Sequence, residues 1–120
     1  IVPKIPGIIR MEAPAGLVEI EYKSEKSKVK SVKLKNVPAF LHSSELKVQC
    51  PELGELIVDV AYGGNFYAIV DVQKNFKGLE HYAADKLISW ARALRKNIND
   101  NYEFIHPQDA TINGCSHILW

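Results

Sequence analysis

The chain has 120 residues, 47% of them hydrophobic and 24% charged, with a formal net charge of +1; that length suits one core of ordinary domain size. So even a charge balance gives no electrostatic basis for binding nucleic acid or a membrane surface as the main role, and no apolar run approaches the roughly 20 residues that span a bilayer. Two cysteines in unrelated contexts, Cys50 before Pro51 and Cys115 after Gly114, form neither a C-x-x-C motif nor a disulfide framework. Both are expected to be reduced, and with no signal-peptide pattern the cytoplasm is the expected location.

Residues 16–22 alternate Leu17, Glu19, Glu21 against Val18, Ile20, Tyr22, a half-buried strand. The polar tetrad Ser24-Glu25-Lys26-Ser27 reads as a hairpin loop, followed by a return strand over 28–37. Its apolar phase slips at Ser31, which predicts a bulge or a change of sheet partner. Lys28, Lys30, Lys33 and Lys35 make a basic row. Glu12, Glu19, Glu21 and Glu25 nearby offset it, so a solvated strand face protected against edge pairing is favoured over a nucleic-acid stripe. After Pro38 the chain passes through Ser43-Ser44 into a short strand over 46–49. Pro51 and Gly54 then bracket a turn, and residues 56–61 open the central strand.

One helix is expected over 79–98. Leu79, Ala83, Leu87, Trp90, Ala91, Leu94 and Ile98 recur at three- and four-residue steps as one apolar stripe, which makes Trp90 a core residue packed against the strands of 56–71. Asn75, Phe76, Lys77 and Gly78 supply the entry. Arg92, Arg95 and Lys96 sit toward the end favoured by the helix dipole, and Asn97, Asn99, Asp100 and Asn101 end it. His81 lies off the stripe and is expected to be exposed. Strands on both sides of one long helix make the fold class α+β.

The most informative segment is Val58-Asp59-Val60-Ala61-Tyr62-Gly63-Gly64-Asn65-Phe66-Tyr67-Ala68-Ile69-Val70, two strand-like runs meeting at a glycine pair followed by asparagine. On physics alone it is strand, tight passage, strand. It resembles the signature V-D-[IV]-A-[FY]-G-G-N-F-[FY]-A-I-V of the proline racemase family, which includes 4-hydroxyproline 2-epimerases and trans-3-hydroxyproline dehydratases. Ala13-Pro14-Ala15-Gly16-Leu17-Val18 resembles the family's T-P-A-G-L-V, with Ala13 in place of threonine. Asn36-Val37-Pro38-Ala39-Phe40-Leu41 resembles its N-V-P-[AS]-F-L, and His106-Pro107 followed by Ile112-Asn113 matches the segment before its second pocket strand. The family's cysteine motifs, M-C-G-H and D-x-S-P-[CT]-G-T-G, do not occur here.

The resemblance implies the fold shared with diaminopimelate epimerase, two similar lobes each wrapping sheet around a central helix with the active site between them. On that comparison residues 1–35 are the C-terminal strands of the first lobe, and residues 36–120 start the second lobe and include its central helix. The chain begins at Ile1 without methionine and ends on the apolar run Ile118-Leu119-Trp120, as an internal piece would. The implied chemistry is inversion at Cα of 4-hydroxyproline or proline by two opposed cysteines, both outside this chain, with neither pyridoxal phosphate nor a metal. A homodimer of the full-length enzyme is a further expectation. The alternatives are a trans-3-hydroxyproline dehydratase of the same family, in which threonine replaces the second cysteine, and a non-catalytic binding module.

With no catalytic residue expected in this chain, the candidates are substrate contacts. His117 falls where family members place a pocket residue, and a neutral imidazole suits a ring hydroxyl; the alternative is a plain structural histidine. Asn65 corresponds to an asparagine that diaminopimelate epimerases use to hold substrate, or else it caps its own turn. Gly63 and Gly64 would shape the pocket wall by backbone alone. Cys115 and His117, two apart on a strand and so expected on one face, are not favoured as a thiolate pair because Cys115 lacks the Cys-Gly-His context. His42 and His106 are expected to serve turns or solvent. No spacing of His, Cys, Asp and Glu argues for a metal.

Overall fold

The computed structural model describes residues 6–120. The chain divides into two compact units, one ending at Pro38 and the other running from Ala39 to Trp120.

In the first unit β1 (Ile8–Ala13), β2 (Gly16–Glu25) and β3 (Lys28–Lys35) form an antiparallel sheet in the order β1-β2-β3. β1 has no counterpart among the expected elements. Adjacent Ile8 and Ile9 break its alternation, and it is fixed by cross-strand pairing, Ile9 opposite Ile20 and Met11 opposite Val18. The β2–β3 loop is shorter than expected: Ser24 and Glu25 belong to β2, and only Lys26 and Ser27 turn, with φ of 48° and 62°. Two successive positive φ values make a type I′ turn, whose twist matches the flanking strands. The phase slip at Ser31 is a bulge. Lys23 lies opposite Ser31 and Ser24 opposite Val29, which leaves Lys30 as the extra residue. Lys35, Lys33 and Lys28 stand opposite Glu19, Glu21 and Glu25, so the basic row is offset residue by residue within the sheet.

The second unit is α+β. β4 (Phe40–Cys50), β5 (Gly54–Tyr62), β6 (Phe66–Ile69) and β9 (Cys115–Leu119) form a mixed sheet in the order β4-β5-β6-β9, antiparallel except for the β6–β9 pair. A parallel pair needs a crossover. It is supplied by a 3₁₀ turn (Leu79–His81), α1 (Ala84–Asn101) and a small hairpin of β7 (Ile105–His106) and β8 (Asp109–Asn113). β4 is one long strand through Ser43 and Ser44 rather than a short strand beyond them; two bulges, with Glu45 at φ 57°, let it follow β5. Val48, Cys50, Leu56, Val58, Val60, Tyr62, Phe66, Ala68 and Val70 point into the core, and Leu87, Trp90, Leu94 and Ile98 of α1 close it.

The helix is displaced from its expected span. Leu79 is 52% exposed, and Tyr82 and Ala83 are extended, so the helix starts at Ala84. The cause is tertiary: the Tyr82 ring stacks on Phe76 at 5.4 Å, meets Trp90 edge-on at 5.1 Å, and its hydroxyl accepts the Lys77 N–H at 3.2 Å. Asn101 is the last residue of α1, as expected, whereas Asn97 and Asn99 lie inside its final turns. Asn97 Nδ2 donates to the Gln49 carbonyl at 2.8 Å, and Asn101 Nδ2 to the Asn97 carbonyl at 2.7 Å. The α1 backbone lies nearest β4 and β9, the outer strands, while the central strands of residues 56–71 supply inward side chains to the same core. The stripe and the inward residues of 56–71 are buried in one core, as expected.

Candidate active site

The glycine pair and Asn65 form the three-residue loop between β5 and β6, closed by the opposed pair Tyr62 and Phe66 and by the Gly63 N–H donating to the Asn65 carbonyl at 3.1 Å. Gly64 has φ 105°, which only glycine adopts without strain. A Cβ at Gly63 would meet nothing within 4 Å, so open space lies beside it. The Asn65 side chain is exposed and makes no hydrogen bond to any described residue; the loop does not use it as an Asx cap.

β9 runs parallel to β6 from the same end of the sheet, with Cys115 opposite Phe66 and His117 opposite Tyr67. The loop of Gly63, Gly64 and Asn65 and the start of β9 therefore lie on neighbouring strands at one sheet end. Ser116 is the extra residue between those two pairs, a bulge. It overturns the alternation that placed Cys115 and His117 on one face: Cys115 is buried in the core, and His117 lies exposed on the opposite face. The Cys115 Sγ lies 3.4 Å from the His117 carbonyl, not from its ring. The imidazole of His117 stacks on Tyr67, with ring centres 5.0 Å apart and planes 22° from parallel, and its Nδ1 is 2.8 Å from the Ser116 hydroxyl. Its Nε2 makes no hydrogen bond to any described residue. Tyr67 and Ser116 are the neighbours that sequence reasoning missed. Only the β6–β9 pairing brings Tyr67 to His117, and that pairing has no local signal.

His42 and His106 do more than serve turns. His106 Nδ1 accepts the Gln108 N–H at 3.1 Å, as a turn residue would. Its ring also packs edge-on to Tyr62 at 4.7 Å and to Phe40 at 5.7 Å. His42 lies edge-on to Phe104 at 5.1 Å and to Phe66 at 5.6 Å. The matched segments 36–41, 58–70 and 106–113 thus each contribute a ring, Phe40, Tyr62 with Phe66, and His106, to one aromatic cluster beneath the glycine loop.

Tyr62 is 2% exposed within that cluster, and its hydroxyl has no hydrogen-bond partner among the described residues. A buried hydroxyl left unpaired costs on the order of 1–3 kcal/mol. Tyr62→Phe is therefore expected to leave stability unchanged or to raise it by up to about 1 kcal/mol in a denaturant titration. A loss larger than that would show the hydroxyl to be paired in solution.

Neither thiol is poised to ionise. Burial pushes Cys50 up to about 11, with the Glu52 carboxylate adding to the effect. Burial also raises Cys115, against smaller opposing contributions from backbone hydrogen bonds and Arg95.

A family model described as proline racemase matches residues 1–120. The chain is 59% identical over 118 residues to a 4-hydroxyproline 2-epimerase of Spirosoma linguale, covering 98% of this chain and 35% of that protein. It is 51% identical over 120 residues to a 4-hydroxyproline 2-epimerase of Ancylobacter novellus, covering 100% of this chain and 36% of that one. Among solved structures, a hydroxyproline epimerase from Agrobacterium vitis with bound trans-4-hydroxy-L-proline superposes with a TM-score of 0.83 at 29% identity, covering 98% of this chain and 35% of that one. A probable proline racemase from Agrobacterium radiobacter K84 with bound carbonate gives 0.82 at 30% identity, with the same coverages. The chain spans about a third of the length of the curated relatives it matches. Its ordered motifs, its fold and these matches together make it a member of the proline racemase family.

Proposed function

We propose that this chain is the part of a 4-hydroxyproline 2-epimerase that carries one wall of the substrate pocket. The observation that carries the reading is His117, an exposed imidazole held by Tyr67 and Ser116 beside the Gly63-Gly64-Asn65 loop, in a chain 59% identical to a protein of that name. Two acid/base groups on opposite faces of Cα remove a proton from one side and deliver one to the other. In the family resemblance these are cysteines, and both lie outside this chain. Its own residues bind and orient. The open space beside Gly63 admits the substrate against backbone, the free amide of Asn65 holds a polar group of it, and His117 Nε2 meets the ring hydroxyl. Near-neutral charge and cysteines without a disulfide pattern support a cytoplasmic setting.

His117 separates a hydroxylated from a plain ring, because proline never uses that hydrogen bond. A neutral hydrogen bond contributes about 0.5–1.5 kcal/mol. In the full-length enzyme His117→Ala is therefore expected to lower kcat/KM for trans-4-hydroxy-L-proline about two- to tenfold more than for L-proline. Polarimetry on both substrates, with His117→Cys alongside and folding checked by thermal melt, reads this directly. An equal loss on both would assign His117 to a contact shared by the substrates, and loss of folding without substrate preference would make it structural.

A further inference from the structure

We propose that Asn99 positions His117 for substrate, acting through the backbone of Cys115; the proposal rests on the pocket reading of His117 above. Asn99 lies on the last turn of α1, and its side-chain amide grips Cys115 twice. Nδ2 donates to the Cys115 carbonyl at 2.8 Å, and the Cys115 N–H donates to Oδ1 at 2.8 Å. Nδ2 also donates to the Arg95 carbonyl of its own helix at 2.9 Å, which ties the amide to α1. The pair reproduces with a side chain the two bonds that a neighbouring strand would make, on a strand whose one partner in the described sheet is β6.

The grip falls where geometry decides which way His117 faces. Gly114, just before it, has φ 77° and donates its N–H to the Phe104 carbonyl at 2.8 Å. Just after it comes the Ser116 bulge, whose carbonyl accepts from Arg95 Nη1 at 3.4 Å and whose hydroxyl donates to the Phe66 carbonyl at 3.3 Å. The bulge alone separates the core-facing Cys115 from the outward His117. Because side chains alternate strictly along a strand, loss of that one extra residue would return His117 to the core face. Cys115 held rigidly from the helix side prevents the slip. Asn99 touches neither His117 nor the face on which it lies, so its effect on substrate choice comes through strand register.

The test is a double-mutant cycle in the full-length enzyme with Asn99→Ala, His117→Ala and both, assayed on trans-4-hydroxy-L-proline and L-proline. Asn99→Ala is expected to lower the ratio of the two kcat/KM values by about two- to tenfold, and by no more than His117→Ala does, in the direction of lost hydroxyproline preference. The double variant should show little further change in that ratio, because both substitutions remove one contact. Should Asn99→Ala fail to fold in a thermal melt, Asn99→Asp keeps the shape and the acceptor but loses the donor to Cys115, and the same direction is expected. An equal loss on both substrates in a folded variant, or a ratio loss that adds to that of His117→Ala, overturns the proposal. If His117→Ala by itself leaves the ratio unchanged, the pocket reading fails and this inference with it, a result visible without any Asn99 variant.

Discussion

Replacing Trp90 by alanine is expected to cost about 3–5 kcal/mol of unfolding free energy, the range for deleting a fully buried large aromatic. Trp90 is 5% exposed, between Leu87 and Leu94 on the one helix that closes the second unit's sheet. Its ring also carries a chain of contacts, edge-on to Tyr82, which stacks on Phe76, which in turn lies 5.1 Å from the Trp120 ring. Truncation therefore opens a cavity and frees the ring that sets where α1 begins. For a unit of this size roughly 4–8 °C of Tm accompanies each kcal/mol, so the melting point should fall by at least about 12 °C. Ile88→Ala, on the outer face of the same helix at 54% exposure, is the control and should stay within about 1 kcal/mol. A Trp90→Ala loss no larger than that control in a denaturant titration would mean the stripe is not the core.

The periodicity of Leu87, Trp90, Leu94 and Ile98 was enough to find that helix, because burial on one face is a local pattern. It was not enough to find the helix's first residue. Leu79 and Ala83 fit the period as well as Leu87 does, and what excludes them is the Tyr82 ring anchored on Phe76, which no helical period encodes. The phase slip near Ser31 was legible for the opposite reason, since a bulge must shift the alternation of the strand that contains it. β1 was not, because its stability comes from cross-strand partners rather than from its own alternation.

The glycine loop could be placed at the meeting of two strands from residues 58–70 alone, and the structure puts it there. The surroundings of His117 could not. Alternation put Cys115 and His117 on the same face, and the Ser116 bulge, next to the Cys115 backbone that Asn99 grips from a helix sixteen residues earlier, puts them on opposite ones. A bulge beside such a long-range contact leaves no mark in the hydrophobic pattern of a five-residue strand. The stacking of Tyr67 on His117 has the same origin in the β6–β9 pairing. So the strands that carry these residues were readable, and the register that sets which face each residue takes was not.

The 120-residue chain by itself is expected to leave both L-proline and trans-4-hydroxy-L-proline unchanged in a polarimeter. Inversion at Cα needs an acid/base group on each face of the substrate, and a thiol serves as the base only when ionised. The chain's two thiols, Cys50 and Cys115, are both buried and free of disulfides. A thiol held near 11, as Cys50 is, ionises to roughly one part in a thousand at pH 8. Cys115 is raised for the same reason and faces the core, with the His117 ring on the other side of the strand. Iodoacetamide at pH 8 should accordingly leave both cysteines of the native protein unmodified and alkylate both in denaturant. In the full-length enzyme Cys115→Ser should keep turnover within about twofold, since it removes no group that reaches substrate. Turnover by the isolated chain that disappeared in Cys115→Ser would reverse this assignment and make the β9 cysteine an acid/base group, and rapid native alkylation at Cys115 would be the first sign of it.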